Sequence, residues 1–200
     1  MLVQVLLLGA VMAGLGWLVT HSLVHVWPFS GEDSVDRALA AHRDSAVNNV
    51  TSVLSTVADT TCTVLLAVAA IIVARWVSGH WRAPAFIAVA LAIEVSVFLM
   101  TTVLVHRTRP AGIELDHSPP TSSFPSGHTA AALVLYGAVA WLIARGTGRW
   151  QAWLLLLMPA AVAFARLYRG MHHPSDVVAG FLLGAGALMI AARATSGGER

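Results

Sequence analysis

Charged residues are scarce in this sequence of 200 residues: they make up 11% of it, whereas hydrophobic residues make up 57%. Soluble domains average about 25% charged and about 45–50% apolar residues. With a mean hydropathy of +0.73, the composition excludes an ordinary soluble domain and predicts a membrane protein. One domain covering 1–200 is expected at this length. The net charge of +2 and the lack of a basic, aromatic-rich stripe argue against nucleic-acid binding.

Lysine is absent, because all 12 residues counted as Lys or Arg are arginine. No lysine amine is therefore available for catalysis. Cys62 is the single cysteine, and its apolar surroundings indicate a small core residue without a disulfide or a thiolate metal site. The first apolar run lacks a basic leading segment, so we expect an uncleaved span and not a signal peptide.

Six apolar runs approach the roughly 20 residues that a helix needs to cross a bilayer. They predict an all-α, polytopic membrane protein with about six transmembrane helices. The runs are about 2–20, 57–76, 84–105, 127–144, 152–165 and 177–192. Glu94 lies near the middle of the third run. A hydrogen bond to another helix is the favoured interpretation of this acid, and a functional role is the alternative.

The long polar connection, residues 21–56, separates the first two runs. Apolar residues recur near helical spacing between Ser34 and Leu54. We predict one or two short helices on the membrane surface, acting as an amphipathic connector, with a lid or lipid-entry role as the alternative. The connections between the second and third runs and between the fourth and fifth runs lie on the opposite side of the membrane, and both are short and basic. This pattern favours a cytoplasmic location for them and for both termini. The 21–56 connector is then extracytoplasmic.

Three polar stretches are expected on that same extracytoplasmic face. They are Arg109-Pro110 after the third run, the Pro-Ser-Gly-His sequence at 125–128 before the fourth, and residues 166–176 between the fifth and sixth. Consecutive spans alternate in direction, so the topology alone brings all three to one side of the membrane. A cluster of this polarity in such an apolar chain indicates a functional site.

The 125–128 stretch has the signals of a helix start, with Pro125 and Ser126 ahead of the apolar run. A helix N-terminus offers free N–H groups and the positive end of the dipole to an anion. Gly127 permits close approach of an oxyanion to the backbone, and His128 is placed to reach the same anion. The simpler alternative is a bare capping motif.

The other two stretches supply charge and a nucleophile. Arg109 and Arg166 carry planar guanidinium groups that suit phosphate oxygens. His172 and Asp176 are four residues apart, so the carboxylate is predicted to accept a ring N–H and leave the other nitrogen free to attack. Glu114 and Asp116 are interpreted as solvated loop acids. No metal site or cofactor is predicted, and the residues favour metal-independent phosphoryl transfer.

Together these residues resemble the type 2 phosphatidic acid phosphatase family of membrane lipid phosphate phosphatases. The family pattern is Lys, six residues and Arg-Pro; then Pro-Ser-Gly-His; then Ser-Arg, five residues, His, three residues and Asp. The chain matches at Arg109-Pro110, at 125–128, and at Arg166, His172 and Asp176. It departs at Thr102, where the family has lysine, and at Ala165, where the family has serine. The resemblance implies a catalytic core built from helices three to six.

The resemblance also implies roles for the matched residues. His172 would form a phosphohistidine, Asp176 would orient it, and His128 would protonate the leaving group. The phosphoryl oxygens would be held by Arg109, Arg166, Ser126 and the Gly127 N–H. We hypothesise that Arg169 takes the place of the missing lysine, with Arg107 as the alternative.

The expected function is hydrolysis of a lipid-linked phosphate or diphosphate in the cell inner or plasma membrane. Candidate substrates are a polyprenyl diphosphate or monophosphate, phosphatidic acid and phosphatidylglycerophosphate. One alternative is a phosphotransferase that uses the same intermediate. Another is a catalytically silent lipid-phosphate binder or transporter, and a haloperoxidase is disfavoured. The partner is a membrane lipid, and the sequence leaves the oligomeric state open.

Overall fold

The computed structural model describes residues 1–117 and 121–196, and within these residues it contains helices and loops without β-strands. A π-helical turn, Leu18–Ser22, extends the first helix, and a 3-10 segment, Trp150–Leu156, precedes the seventh. The tail from residue 197, including Arg200, lies outside the described residues. The eight α-helices are α1 Leu2–Trp17, α2 Glu32–Ala41, α3 Ser45–Val57, α4 Thr60–Ser78, α5 Arg82–Leu104, α6 Gly127–Thr147, α7 Leu157–Tyr168 and α8 Pro174–Ser196.

Six helical segments of the described chain are long and apolar enough to cross a membrane, which confirms the prediction from the apolar runs. The fifth span is longer than its apolar run, since the 152–165 run becomes Trp150–Tyr168. The helix there continues past the last apolar residue of the run and carries Arg166 in its final turn. The six spans are Leu2–Ser22, Thr60–Ser78, Arg82–Leu104, Gly127–Thr147, Trp150–Tyr168 and Pro174–Thr195.

The interior of the bundle lies where α5, α6 and α8 pack together. Small side chains from all three helices are completely buried there, including Ala90, Ala138 and Ala187. Small residues let membrane helices approach closely, and dispersion contacts then stabilise the packing. This packing places the end of α5 and the starts of α6 and α8 at one end of the bundle.

Glu94 lies inside this packing, with 2% of its surface exposed. Its Oε2 atom has no hydrogen-bond partner among the described residues, so the predicted bond to another helix stays a prediction. Ala90 and Val97, one turn to either side of Glu94, belong to the apolar core. Glu94 is therefore flanked on its own helix by apolar core residues, whereas the predicted hydrogen bond requires a donor.

The 21–56 segment forms two helices, α2 and α3, as the helical spacing predicted. Asp44 caps the start of α3, because its Oδ1 accepts hydrogen bonds from the backbone N–H groups of Ala46 at 2.8 Å and Val47 at 2.9 Å. The interpretation of this segment as a connector stays a prediction. Four polar side chains of these helices are buried: Glu32, Asp36, Thr51 and Ser55. Each of them contacts a charged or titratable side chain at the polar end of the bundle.

Candidate active site

The three polar stretches meet at one end of the bundle, as the topology predicted. Arg109 Nη1 donates to the carbonyl oxygen of Met171 at 2.6 Å. The Ser126 N–H donates to the carbonyl oxygen of Asp176 at 2.9 Å. These bonds join the loop after α5, the start of α6 and the turn between α7 and α8 into one site.

His172 is buried at the centre of this site, with 3% of its surface exposed. Its Nδ1 atom lies 2.8 Å from the carbonyl oxygen of Ser123. A carbonyl oxygen only accepts, so Nδ1 carries the proton and Nε2 keeps a free lone pair. The Asp176 carboxylate lies 3.9 Å from the same nitrogen, so the prediction that it accepts the ring N–H is wrong.

Asp176 makes other hydrogen bonds in place of the predicted one. Its Oδ2 accepts the backbone N–H of His173 at 2.9 Å, and its Oδ1 accepts from Arg107 Nη1 at 2.5 Å. Asp176 is in the first turn of α8, where the helix dipole also favours a carboxylate. The local geometry of the helix start therefore directs this side chain away from the His172 ring.

Burial lowers the pKa of the His172 ring well below its usual range, and the positive charges of Arg166, Arg109 and His128 lower it further. The ring is therefore neutral at neutral pH. A neutral imidazole with one free nitrogen is a nucleophile, whereas the protonated ring is not. The same interactions show that Arg109, Arg166 and His128 all face His172.

Arg109 and Arg166 each hold a buried N–H group that lacks a protein acceptor. The Nε atoms of both side chains are buried and have no hydrogen-bond partner within residues 1–117 and 121–196. Arg109 Nη1 lies 3.4 Å from His172 Nε2, the unprotonated nitrogen of the ring. Buried donors are rarely left unpaired, so two such groups beside a neutral imidazole indicate a site for an anion.

Ser126, Gly127 and His128 lie at the start of α6. The first hydrogen bond inside the helix runs from the Ala130 N–H to the Ser126 carbonyl oxygen at 3.1 Å, so the N–H groups before it can meet an anion. The Ser126 hydroxyl lies 3.0 Å from the Thr129 hydroxyl and does not cap the helix. A Cβ on Gly127 would come within 2.8 Å of the Phe98 ring, so packing alone requires glycine there. The predicted phosphate contacts of this stretch stay predictions.

Asp116 is a site residue that the sequence interpretation missed. Its Oδ1 accepts from Arg169 Nε at 2.8 Å and Nη2 at 2.5 Å, and its Oδ2 accepts from Ser55 Oγ at 2.8 Å and Arg166 Nη1 at 3.1 Å. Burial opposes its ionisation, but the hydrogen bonds from Arg169 and Ser55 and the two arginine charges outweigh burial and lower the pKa of the carboxyl. The interpretation of Asp116 as a solvated loop acid is wrong.

Arg169 is 7% exposed. Its Nε and Nη2 atoms, which could bind a phosphate as a pair of donors, both donate to Asp116. Its Nη1 atom lies 3.3 Å from the carbonyl oxygen of Asn48 in α3. The hypothesis that Arg169 replaces the missing lysine therefore stays a prediction. No spacing in the sequence signals the pairing with Asp116, because the two residues are 53 positions apart.

A second charged cluster lies on the other side of Asp176, and we call it the α2 cluster. Two acids one turn apart on α2, Glu32 and Asp36, make its hydrogen bonds on the α2 side. Glu32 accepts from Arg107, and Asp36 Oδ2 lies 2.7 Å from His173 Nδ1. The spacing of the two acids is the only sequence signal for this cluster. It consists of Glu32, Asp36, Arg107, His173 and Ser175.

One group of three possible metal-ligating side chains occurs in the described part of the chain, and it overlaps this cluster: Asp33, Asp36 and His173. Asp33 Oδ1 is 3.9 Å from His173 Nδ1, and the Asp33 side chain is 68% exposed. The hydrogen bond between Asp36 and His173 accounts for the arrangement without an ion, and we assign no metal to it.

A family model matches the part of the chain that contains this site. The model described as the PAP2 superfamily matches residues 83–197, which include all three polar stretches and more than half of the chain. The chain belongs to the PAP2 superfamily. The resemblance that the sequence motifs predicted is therefore confirmed.

A solved structure of a PAP2 protein has the same fold. It is the first transmembrane PAP2 type phosphatidylglycerolphosphate phosphatase from Bacillus subtilis, with a TM-score of 0.82 and 19% identity. The match covers 99% of this chain and 97% of that one. At this identity the likeness shows the fold alone.

Two curated PAP2 relatives are more similar in sequence over shorter stretches. An undecaprenyl-diphosphatase from Sulfolobus acidocaldarius is 42% identical over 71 residues, which are 35% of this chain and 32% of the relative. A putative undecaprenyl-diphosphatase from Escherichia coli K12 is 32% identical over 104 residues, 49% of this chain and 50% of the relative. The chain thus spans half or less of the length of these two relatives.

Proposed function

We propose that this protein is an integral membrane phosphatase that hydrolyses a lipid-linked phosphate or diphosphate through a phosphohistidine on His172, without a metal ion. The observation that carries the proposal is the His172 ring, which is buried, neutral and protonated on Nδ1. Its free Nε2 lies beside Arg109, and the buried Nε groups of Arg109 and Arg166 lack protein acceptors. The proposed nucleophile and the donors that would bind the phosphate therefore lie in one site.

In the first step, Nε2 of His172 attacks phosphorus and the bond from phosphorus to the leaving oxygen breaks. His128 gives a proton to that oxygen, which leaves on the lipid alcohol or lipid monophosphate. Arg109, Arg166 and the N–H groups at the start of α6 stabilise the charge on the phosphoryl oxygens. The Ser123 carbonyl oxygen accepts the hydrogen bond from the Nδ1–H group throughout and stabilises the positive ring that forms.

In the second step, water attacks phosphorus and the bond from phosphorus to Nε2 breaks. His128 now takes the proton from the water, and inorganic phosphate leaves. His172 and His128 return to their starting states, so the cycle consumes one water per phosphate released. The proposed role of Asp176 is to fix the start of α8 and the charge around His172, since its carboxylate does not bond to the ring.

Polyprenyl diphosphate is the proposed substrate class. The relatives with 42% and 32% identity are named as an undecaprenyl-diphosphatase and a putative one. Several cationic donors near His172 also suit a substrate with more than one phosphate. Polyprenyl monophosphate, phosphatidic acid and phosphatidylglycerophosphate remain in the test panel.

The proposed location of the site is the extracytoplasmic surface of the cell inner or plasma membrane. This orientation rests on the short connections between α4 and α5 and between α6 and α7. The connections and the helix ends beside them contain four arginines and no acids: Arg75, Arg82, Arg145 and Arg149. The substrate's phosphate would meet the site at the water interface while its tail stays in the bilayer. Labelling of single cysteines placed in the 21–56 segment of a Cys62→Ser background tests this orientation.

The experiment measures phosphate release by the purified protein in detergent with EDTA present. The four lipids are compared, and His172→Ala is compared with His80→Ala, which removes an exposed histidine from the connection between α4 and α5. We expect release from the diphosphate to survive EDTA, to persist in His80→Ala and to vanish in His172→Ala. Radiolabelled substrate should leave acid-labile label on the wild-type protein and none on His172→Ala.

Each alternative gives a different result. A phosphotransferase would yield a phosphorylated acceptor alcohol in place of inorganic phosphate. A silent binder would retain lipid binding in wild type and His172→Ala alike, with no release from any lipid. Either result would overturn the proposal, as would release that EDTA abolishes.

A further inference from the structure

Arg107 is the centre of the α2 cluster and joins three elements of the fold. Its Nη2 atom donates to Glu32 Oε2 at 2.6 Å, and its Nη1 atom donates to Ser175 Oγ at 2.6 Å and to Asp176 Oδ1 at 2.5 Å. The Arg107 and Glu32 side chains are 10% and 8% exposed, and the Asp176 side chain is fully buried. Water therefore screens these charges weakly.

Glu32 holds the start of α8 as well as Arg107. Its Oε1 accepts the Ser175 N–H at 2.6 Å, and its Oε2 lies 3.0 Å from Ser175 Oγ. Backbone N–H groups of a first helical turn have no partner within their own helix. The carboxylate of α2 therefore caps the helix that follows His172 in the chain, and it positions the Arg107 guanidinium against Asp176.

The balance of charge around Asp176 affects His172 directly. Four groups that bear or can bear charge face the His172 ring: Arg109 after α5, His128 of α6, Arg166 of α7 and Asp176 of α8. Asp176 supplies the only negative charge among these four. It is itself faced by Arg107 and His173, which are held in turn by Glu32 and Asp36. An unbalanced Asp176 would favour a protonated, non-nucleophilic His172.

We propose that Arg107, held in place by Glu32 of α2, is a positioning residue for the reaction, because it neutralises Asp176 and so keeps His172 in its neutral, nucleophilic form. This inference rests on the proposed function. It gives α2 a part in the reaction without any contact with the substrate. It also explains an arginine two residues before Arg109, at a position for which the first family motif specifies no residue.

The test is the pH dependence of kcat/KM for phosphate release by Arg107→Gln, Arg107→Lys and Glu32→Gln. Loss of the Arg107 charge should raise the His172 pKa, since an opposite charge within about 4–6 Å shifts a pKa by about 1–3 units. The neutral ring is the reactive form, so the acid limb of the profile should move to higher pH by about that amount. Arg107→Lys keeps the charge and should move the limb back toward wild type.

Glu32→Gln should move the acid limb in the same direction by a smaller amount, because it keeps the Arg107 charge but removes the carboxylate that holds Arg107 against Asp176. We also expect a lower kcat, because the start of α8 loses the carboxylate that accepts the Ser175 N–H. Arg37→Gln is the matched control, since Arg37 is an exposed arginine of the same helix. It should keep the wild-type rate and profile.

The outcomes separate this inference from the proposed function. If the wild-type protein releases no phosphate from any lipid, this result overturns both the proposed function and the present inference. An active wild type whose acid limb stays in place in Arg107→Gln overturns the inference alone. If Arg107→Gln does not fold, as thermal unfolding in detergent would show, the pH profile of Glu32→Gln replaces it as the test. An acid limb at the wild-type pH in that variant contradicts the proposal, and an upward shift of the limb supports it.

Discussion

The Nδ1 atom of His172 lies 2.8 Å from the carbonyl oxygen of Ser123, and this hydrogen bond fixes the tautomer of the ring. Ser123 is held in turn by the loop after α5. Its N–H donates to the Arg107 carbonyl oxygen at 2.9 Å, and its hydroxyl donates to the Thr108 carbonyl oxygen at 3.0 Å. The proposed nucleophile is thus oriented by backbone groups, which a point mutation does not remove, and the predictions below concern the side chains and the turn around it.

The pairing of Arg169 with Asp116 predicts that the two residues act as a unit. Arg169→Ala and Asp116→Asn should each lower kcat/KM by about ten-fold, because a charged hydrogen bond contributes about 1.5–3 kcal/mol. The double variant should be little worse than either single variant, since residues in contact are not additive. Steady-state kinetics with the best lipid of the panel measure all three variants.

Additive losses in the double variant would contradict this prediction and would favour Arg169 as a direct phosphate ligand. Glu114→Gln is the matched control, because Glu114 is an exposed acid of the same loop. Its kcat/KM should stay close to that of wild type. An equal loss in the control would mean that the charge of the loop matters and the Asp116 contacts do not.

The bond between His173 and Asp36 predicts a stability that depends on pH. Burial opposes protonation of His173, but the hydrogen bond with Asp36 and the negative charge of Asp176 outweigh it and raise the pKa of the ring. The folded state therefore binds the proton more tightly than the unfolded chain. This stabilisation is complete below the unfolded pKa of about 6.5 and is lost as pH rises through the higher folded pKa.

Thermal unfolding of wild type and Asp36→Asn across this range should show the effect. The difference in unfolding temperature should be largest near pH 6 and should narrow toward alkaline pH, because only a protonated ring is attracted by the Asp36 charge. Asp33→Asn changes an exposed acid near the same ring nitrogen and should have a smaller effect. A difference that is constant with pH would show that the bond is not charge-dependent.

The turn before His172 predicts that glycine is required at position 170. Gly170 has φ +69°, and a Cβ there would lie 2.6 Å from the carbonyl oxygen of Ile113. Gly170→Ala should therefore destabilise the protein by about 1–3 kcal/mol, measured as a lower unfolding temperature in detergent. Gly146→Ala in α6, where a Cβ would meet nothing within 4 Å, should be neutral or slightly stabilising. Equal unfolding temperatures for the two variants would refute the steric argument.

The sequence by itself determined the membrane-spanning plan and the residues that come together. Spans of apolar residues leave helices as the only structure that satisfies the backbone in lipid without a closed barrel, and alternating spans place the stretches at 109–110, 125–128 and 166–176 on one side. Both results depend on composition and order alone. The motif spacing was also sufficient to predict the family.

Only the tertiary structure decided which charges pair. Asp116 with Arg169, Glu32 with Arg107 and Asp36 with His173 are separated by 53, 75 and 137 positions, and no local period links them. Only the tertiary structure decided the partner of His172 as well. Its ring bonds to the Ser123 carbonyl oxygen, whereas Asp176, which is only four residues away in the sequence, bonds to other groups. Local spacing shows which side chains share a face of one helix, but hydrogen-bond partners depend on how separate elements pack, and packing is a property of the whole chain.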